Sequence, residues 1–248
     1  MKSTTTLLLA VALLGCNNDP AALTPNQYFQ KRADLVCSAV ASACLFPAST
    51  CVAGRVAEFT AEYQAALASF RDFIPGNADA CLAKVKDVYG KIEQGVVALK
   101  AADYQAMQAI CANVYRGASA ALGPCALDAD CLDNLICDKG YCTTGKTVAA
   151  GALCGNPGEL CPSGFYCTNA TGPSICTSKI TLQGYCATSP CQENLRCLGG
   201  YCVARLDIGE PCASDGDCSG NFCEPYAKKC AEDIRFANGS AACIAMSN

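Results

Sequence analysis

From residue 125 onward the cysteines come in fours: Cys125/Cys131/Cys137/Cys142, Cys154/Cys161/Cys167/Cys176, Cys186/Cys191/Cys197/Cys202 and Cys212/Cys218/Cys223/Cys230. Two quartets share more than cysteine. Residues 131–142 read CLDNLICDKGYC and residues 191–202 read CQENLRCLGGYC, both C-x-x-N-L-x-C-x-x-G-Y-C. Each quartet has a glycine two or three residues before its first cysteine (Gly123, Gly151, Gly184 and Gly209), and the quartets begin 29, 32 and 26 residues apart. A unit of about 30 residues cannot bury enough apolar surface to fold alone, so cross-links must replace the missing core. Closing a loop of about 15 residues contributes about 3 kcal/mol in the chain-entropy model. Each quartet is therefore expected to close on itself with two disulfides. Three connectivities are open, and spacing does not choose among them. First-to-third with second-to-fourth is favoured, which pairs Cys125 with Cys137, Cys131 with Cys142, Cys186 with Cys197, and Cys191 with Cys202. Leu135, Phe165, Leu195 and Phe222, just before each third cysteine, supply one apolar contact per unit. Tyr141 and Tyr201 are expected to pack on the sulfurs.

The chain has 23 cysteines and no histidine among 248 residues. No C-x-x-C or C-x-C occurs. Zinc sites favour close cysteine pairs and often histidine, so this spacing reads as disulfides. Without histidine there is no Ser-His-Asp triad and no Cys-His pair. Without C-x-x-C there is no thioredoxin-type redox site. No metal, cofactor or catalytic constellation is expected. A net charge of −4 gives no support for nucleic-acid binding.

The N-terminus, MKSTTTLLLAVALLGC, has the form of an export signal. Lys2 supplies the positive end, and Leu7 to Leu14 form an apolar stretch far short of the ~20 residues that span a bilayer. Leu13-Leu14-Gly15-Cys16 resembles the lipobox of bacterial lipoproteins. That resemblance implies removal of residues 1–15, lipidation of Cys16 and a tether over 16–23. It also implies outer-membrane delivery, because Asn17 and not Asp follows the cysteine. Setting Cys16 aside leaves 22 cysteines, an even number that can pair completely. Acyl chains contribute about 0.8 kcal/mol per buried CH₂, so several together anchor firmly.

Residues 24–119 show helical periodicity. Thr24, Pro25 and Gln27 make a capping box ahead of a first helix that runs to about Leu45 and stops before Pro47. Val52, Val56, Phe59, Tyr63, Ala66, Phe70 and Phe73 form one stripe, which predicts a second helix ended by Pro75-Gly76. Leu82, Val85, Tyr89, Ile92, Val96 and Leu99 predict a third. Asp103 is expected to cap a fourth, with stripe Tyr104, Met107, Cys111 and Val114. Regular stripes of this kind read as a bundle packing its own core. Cys44 and Cys51 flank the Pro47 turn and are expected to pair. Five cysteines (Cys37, Cys44, Cys51, Cys81 and Cys111) lie in this region, an odd number. Cys243 is therefore expected to fold back onto it and to bond Cys111 or Cys81.

Asp128, Asp130, Asp133 and Asp138, with Asp215 and Asp217 in the fourth quartet, crowd two loops. Neither matches a twelve-residue calcium loop, so they read as solvated turn acids. Asn169-Ala170-Thr171 and Asn238-Gly239-Ser240 match the glycosylation sequon by chance in a chain with a bacterial lipobox.

The quartets, each with a Gly before the first Cys, then L-x-C and G-x-C, resemble Dickkopf N-terminal-like cysteine-rich repeats of bacterial proteins. The whole layout is similar to cysteine-rich surface lipoproteins of predatory soil bacteria. The second and fourth quartets depart from the spacing, with nine residues from Cys167 to Cys176 and five from Cys218 to Cys223. The expected architecture is α plus small disulfide-rich: a helical bundle over 24–119, four four-cysteine repeats with little regular structure over 120–232, and a tail over 233–248 docked on the bundle. The expected role is non-catalytic. A lipid-anchored surface protein would present the array to a protein or glycan. The alternatives are an envelope spacer without a ligand and a carboxylate-based hydrolase of envelope polymers.

Overall fold

The computed structural model describes residues 22–93, 97–132, 134–168 and 173–247. Cys16 and its lipobox lie outside the described residues, as do Val96, Asp133 and the sequon at Asn169.

Helix α1 (Pro25–Cys44) starts at its capping box: the Thr24 hydroxyl accepts from the Gln27 N–H, and the Gln27 side chain accepts from the Thr24 N–H. Tyr28, Phe29, Arg32, Val36 and Val40 line its buried face. Leu45 takes a left-handed φ of 59° and ends the helix. Helix α2 (Ala48–Ala68) buries Cys51, Phe59 and Ala66, a narrow stripe repeating every two turns. The stripe predicts a helix through Phe73, but α2 stops five residues earlier. Phe70 turns left-handed (φ 56°) and stands 91% exposed, and Arg71–Phe73 form strand β1. Tertiary packing overrides the periodicity here. As a strand residue Phe73 meets the rings of Tyr28 and Tyr115 at 5.6 and 6.3 Å.

Pro75-Gly76 opens α3 (Pro75–Glu93) instead of closing α2. Proline suits a first helical turn because its missing N–H has no partner to lose there. Leu99, expected on the third helix, is buried in strand β2 (Ala98–Lys100). Helix α4 (Ala101–Cys111) begins before Asp103, which therefore cannot cap it and instead pairs with Lys91 of α3 at 2.7 Å. One 3₁₀ turn (Ala112–Val114) leads to β3 (Tyr115–Gly117), antiparallel to β1.

Among the described residues the four-cysteine repeats hold short strands and two 3₁₀ turns, Asp128–Asp130 and Asp215–Asp217. β4 (Ile136–Asp138) and β5 (Tyr141–Thr143) make the first hairpin. β6 (Lys146–Thr147) runs parallel to β7 (Glu159–Leu160). β8 (Phe165–Cys167) with β9 (Cys176–Ser178), and β10 (Leu195–Leu198) with β11 (Tyr201–Ala204), make two further hairpins. The chain then returns to the helices. β12 (Asp233–Arg235) pairs with β2, and α5 (Ala241–Met246) packs on α1 and α2.

Among the described residues eleven disulfides join all 22 cysteines. Every quartet is bonded first to third and second to fourth: Cys125–Cys137 and Cys131–Cys142, Cys154–Cys167 and Cys161–Cys176, Cys186–Cys197 and Cys191–Cys202, Cys212–Cys223 and Cys218–Cys230. The helical region departs from expectation. Cys44 and Cys51 do not bond each other. Cys37 pairs with Cys51 and Cys81 with Cys111. Cys243 does fold back, but to Cys44, with Cα atoms 5.2 Å apart, and not to Cys81 or Cys111. Two helix faces explain it. Cys37 lies on the buried face of α1 opposite α2, whereas Cys44 sits at the end of α1, where α5 docks. Disulfides in this number form in oxidising compartments and point to export. Among the described residues no helix is long and apolar enough to cross a membrane.

The boundary at 232 does not divide the core. Phe222, Ile234, Phe236 and Met246 share one apolar cluster with Tyr28, Val40, Val85 and Leu99. The fourth repeat is thus part of the helical region's core. The first repeat meets β1 and β3 at a polar seam, where Arg71 pairs with Asp130 at 2.9 Å. A Cβ on Gly117 would lie 2.1 Å from the Asp130 carbonyl oxygen, so only glycine allows this approach. Both ends of the array are docked on the helices.

Candidate binding surface of the repeat array

All four repeats share one backbone frame. The residue three before the first cysteine donates its N–H to the carbonyl of the fourth: Leu122 to Cys142, Gly151 to Cys176, Gln183 to Cys202 and Gly209 to Cys230, at 2.7–2.9 Å. That residue is left-handed in every repeat, with φ of 66°, 76°, 63° and 93°. The fourth cysteine's N–H then returns to the next residue along, Gly123, Ala152, Gly184 or Glu210, at 2.9 Å. The turn needed a left-handed residue, and glycine supplies it at Gly151 and Gly209. Gly123 and Gly184 serve a different need. A Cβ on Gly184 would come within 2.4 Å of Ile180 Cγ2, so it is close approach that requires glycine there.

Asp128, Asp130, Asp215 and Asp217 sit in turns, with Asp128 and Asp215 exposed, and their carboxylates also hold backbone amides. Asp130 accepts from the N–H groups of Ala126 and Leu127, and Asp217 accepts from those of Ala213 and Ser214. Asp128 and Asp215 likewise receive the N–H of the third cysteine, Cys137 at 2.7 Å and Cys223 at 2.8 Å. Burial opposes the charge on Asp130, but the two amides and Arg71 outweigh it and lower its pKa. The backbone amides of Ala213 and Ser214 lower that of Asp217. These carboxylates stand in for backbone acceptors that so little regular structure cannot supply.

Polar contacts stitch each repeat to the next. Asp138 receives the Gly158 N–H at 2.7 Å. Glu193 receives both the Gly164 N–H and Lys179 Nζ, at 3.0 and 2.7 Å, and they hold its pKa down to about 2. Arg196 reaches Asp217 at 3.9 Å. Three sulfurs of each quartet lie within 4.8 Å of one another, but every one is in a disulfide and has no thiolate to offer a metal.

The frame sets the residue before the first cysteine opposite the residue before the fourth: Pro124 with Tyr141, Leu153 with Ile175, Tyr185 with Tyr201, and Pro211 with Lys229. Tyr141, Leu153, Ile175, Tyr185 and Tyr201 are all exposed, and the Tyr185 and Tyr201 rings meet edge to face at 5.9 Å. Tyr141 and Tyr201 thus face outward and are not buried on the sulfurs. In the fourth repeat, where Phe222 turns inward, Lys229 occupies the corresponding place. The pairing of positions across the frame was hidden in the sequence, because hairpins of different length separate them.

Comparisons with protein families, with curated proteins and with solved structures return no match.

Proposed function

We propose that the chain is an exported, non-catalytic surface protein, held to a membrane through lipid on Cys16, whose array presents its exposed apolar pairs to an extended protein or glycan. The observation that carries this reading is the recurrence of an exposed apolar pair at one frame position in three successive repeats. Scattered surface apolar residues need no explanation, but a repeated patch does. Tyrosine offers apolar area with a polar end at low entropic cost, which suits recognition.

The test is retention of envelope glycans and secreted proteins on the immobilised chain. A triple variant, Tyr141→Ser, Ile175→Ser and Tyr201→Ser, should lose retention while its melting temperature stays unchanged. Undiminished retention by that variant would overturn the reading. A wild-type chain that retains nothing would favour the spacer alternative. For the anchor, the mass of the membrane form should show a lipidated N-terminal Cys16, and Cys16→Ser should release the protein folded.

A further inference from the structure

The fourth repeat meets α4 along an open cleft of ≈430 Å³, lined by Tyr104, Gln105 and Gln108 of that helix and by Asp215, Phe222 and Pro225 of the repeat. Phe222 is buried and backs the cleft, whereas Tyr104 and Pro225 are half-buried and supply its apolar surface. The turn that carries Pro225 is fixed from within. The carboxylate of Glu224, 6% exposed, accepts from the N–H groups of Tyr226 and Ala227. Gln108 and Asp215 are exposed, so both are open to whatever enters the cleft.

The fold orients the polar groups around this surface. Gln105 Nε2 donates to the Asn221 carbonyl at 2.7 Å and to Asp215 Oδ2 at 3.2 Å, which occupies both of its hydrogens and leaves Oε1 to accept. Gln108 Nε2 donates to Tyr104 Oη at 2.8 Å, so one amide hydrogen and Oε1 stay open. Asp215 gives Oδ1 to the Cys223 N–H, and Oδ2, which has room for two donors, accepts from Gln105. Two amide oxygens and a carboxylate oxygen therefore border an apolar surface, with one amide hydrogen beside them.

We propose that this cleft binds a neutral pyranose ring, whose C–H face lies on Tyr104 and Pro225 and whose adjacent hydroxyls meet Gln108 and Asp215. A sugar ring is apolar across one face and carries at its edge hydroxyls that both donate and accept. Gln108, with one open donor and one open acceptor, matches two neighbouring hydroxyls. The carboxylate of Asp215 adds a stronger, charge-assisted bond to a third. A cation would have no use for the open N–H of Gln108. The volume falls within the range of small-ligand sites. The joint at the first repeat lacks this combination. Asp128 holds the frame position of Asp215 there, but its cleft is lined by Asn77, Asn113 and Arg116 and has neither an aromatic ring nor a proline. The proposal is independent of the exposed pairs on the other repeats.

The probes are methyl β-glucopyranoside, methyl β-galactopyranoside and methyl α-mannopyranoside, with cyclohexanol and n-butylammonium as controls. Binding is followed by the side-chain amide resonances of Gln105 and Gln108 in the full chain with its disulfides intact. At least one glycoside should give saturable shifts with a Kd in the millimolar range, as befits a few hydrogen bonds at an open site. Cyclohexanol, which has the ring without adjacent hydroxyls, and n-butylammonium should each bind about tenfold more weakly. Gln108→Met keeps the volume, removes both hydrogen-bonding groups and should weaken the glycoside about tenfold at an unchanged melting temperature, read at Gln105. Asp128→Asn, at the other joint, should change nothing. The triple variant of Tyr141, Ile175 and Tyr201 should bind the glycoside as wild type does, so this site and the exposed pairs fail separately. Absence of shifts with every glycoside, equal binding of cyclohexanol, tighter binding of n-butylammonium, or full affinity in Gln108→Met would overturn the site.

Discussion

Cys44 and Cys243 are bonded across 199 residues, joining the end of the first helix to the start of the last. The bond closes a circuit. The array leaves the helices after β3, and its last repeat and tail return to the same core. In the chain-entropy model a loop this long contributes about 5 kcal/mol, an upper figure because other bridges already shorten it. Replacing both residues by alanine should therefore lower the melting temperature without dissolving the fold. Ile234 and Phe236, fully buried, still hold β12 against β2. Limited proteolysis should cut first in the segment after Phe236. A tail as resistant as wild type would show that apolar packing alone secures the circuit.

Gly117 touches the first repeat where Arg71 pairs with Asp130. A Cβ there meets three backbone atoms of Asp130 within 2.7 Å, and backbone cannot swing aside as a long side chain can. Gly117→Ala should cost about 1–3 kcal/mol, typical of overpacking, and should loosen the seam selectively. Hydrogen exchange at Ser119, whose N–H donates to the Asp130 carbonyl, should accelerate. The disulfide-closed hairpin β4–β5 should exchange as before. Equal acceleration in both would mean that the seam and the repeat form one cooperative unit.

The array was legible because its constraints are local. Two bridges per quartet follow from cysteine spacing and unit size, and the Thr24 capping box lies within four residues of sequence. What stayed illegible depended on distant chain. Phe70 continues the apolar stripe of α2, but the backbone leaves the helix there so that Phe73 can reach Tyr28 and Tyr115. Cys44 stands beside Cys51 in sequence, yet its partner is set by where α5 docks. Leu122 and Gln183 adopt left-handed turns that no glycine announces, and Glu224 has no local mark of burial.

Acid should open the joint between the second and third repeats before it unfolds the helices. Lys179 and the Gly164 N–H lower Glu193 from 4.5 to about 2 in the folded chain. A lowered carboxylate stabilises the fold fully above its unfolded value and loses that contribution as pH falls through the folded one. The joint should therefore be intact above pH 4.5 and weaken progressively toward pH 2. Amide exchange at Gly164 should rise across that window once corrected for intrinsic rate, and Glu193→Gln should flatten the response. A rise unaltered by that substitution would assign the transition to another carboxylate.

The apolar residue ahead of the third cysteine tests how far the fourth repeat has merged with the helices. Leu195 stands two residues before Cys197 and Phe222 one before Cys223, in repeats with the same disulfide frame. Leu195 is half-buried within its own repeat, whereas Phe222 is 2% exposed and sits edge to face with Tyr104 of α4 at 6.2 Å. Gln105 of the same helix donates to the carbonyl of Asn221 at 2.7 Å, so the neighbouring backbone is pinned too. Truncating a buried phenylalanine in a shared core costs about 3–5 kcal/mol, because the cavity cannot collapse. Phe222→Ala should lower the stability of the helical region by that amount. Leu195→Ala removes less buried area and should cost about 1 kcal/mol or less, felt only in its own repeat. Thermal unfolding followed by far-ultraviolet circular dichroism, which reports the helices, separates the two. Equal shifts from both variants would mean that the fourth repeat stands apart from the helical core.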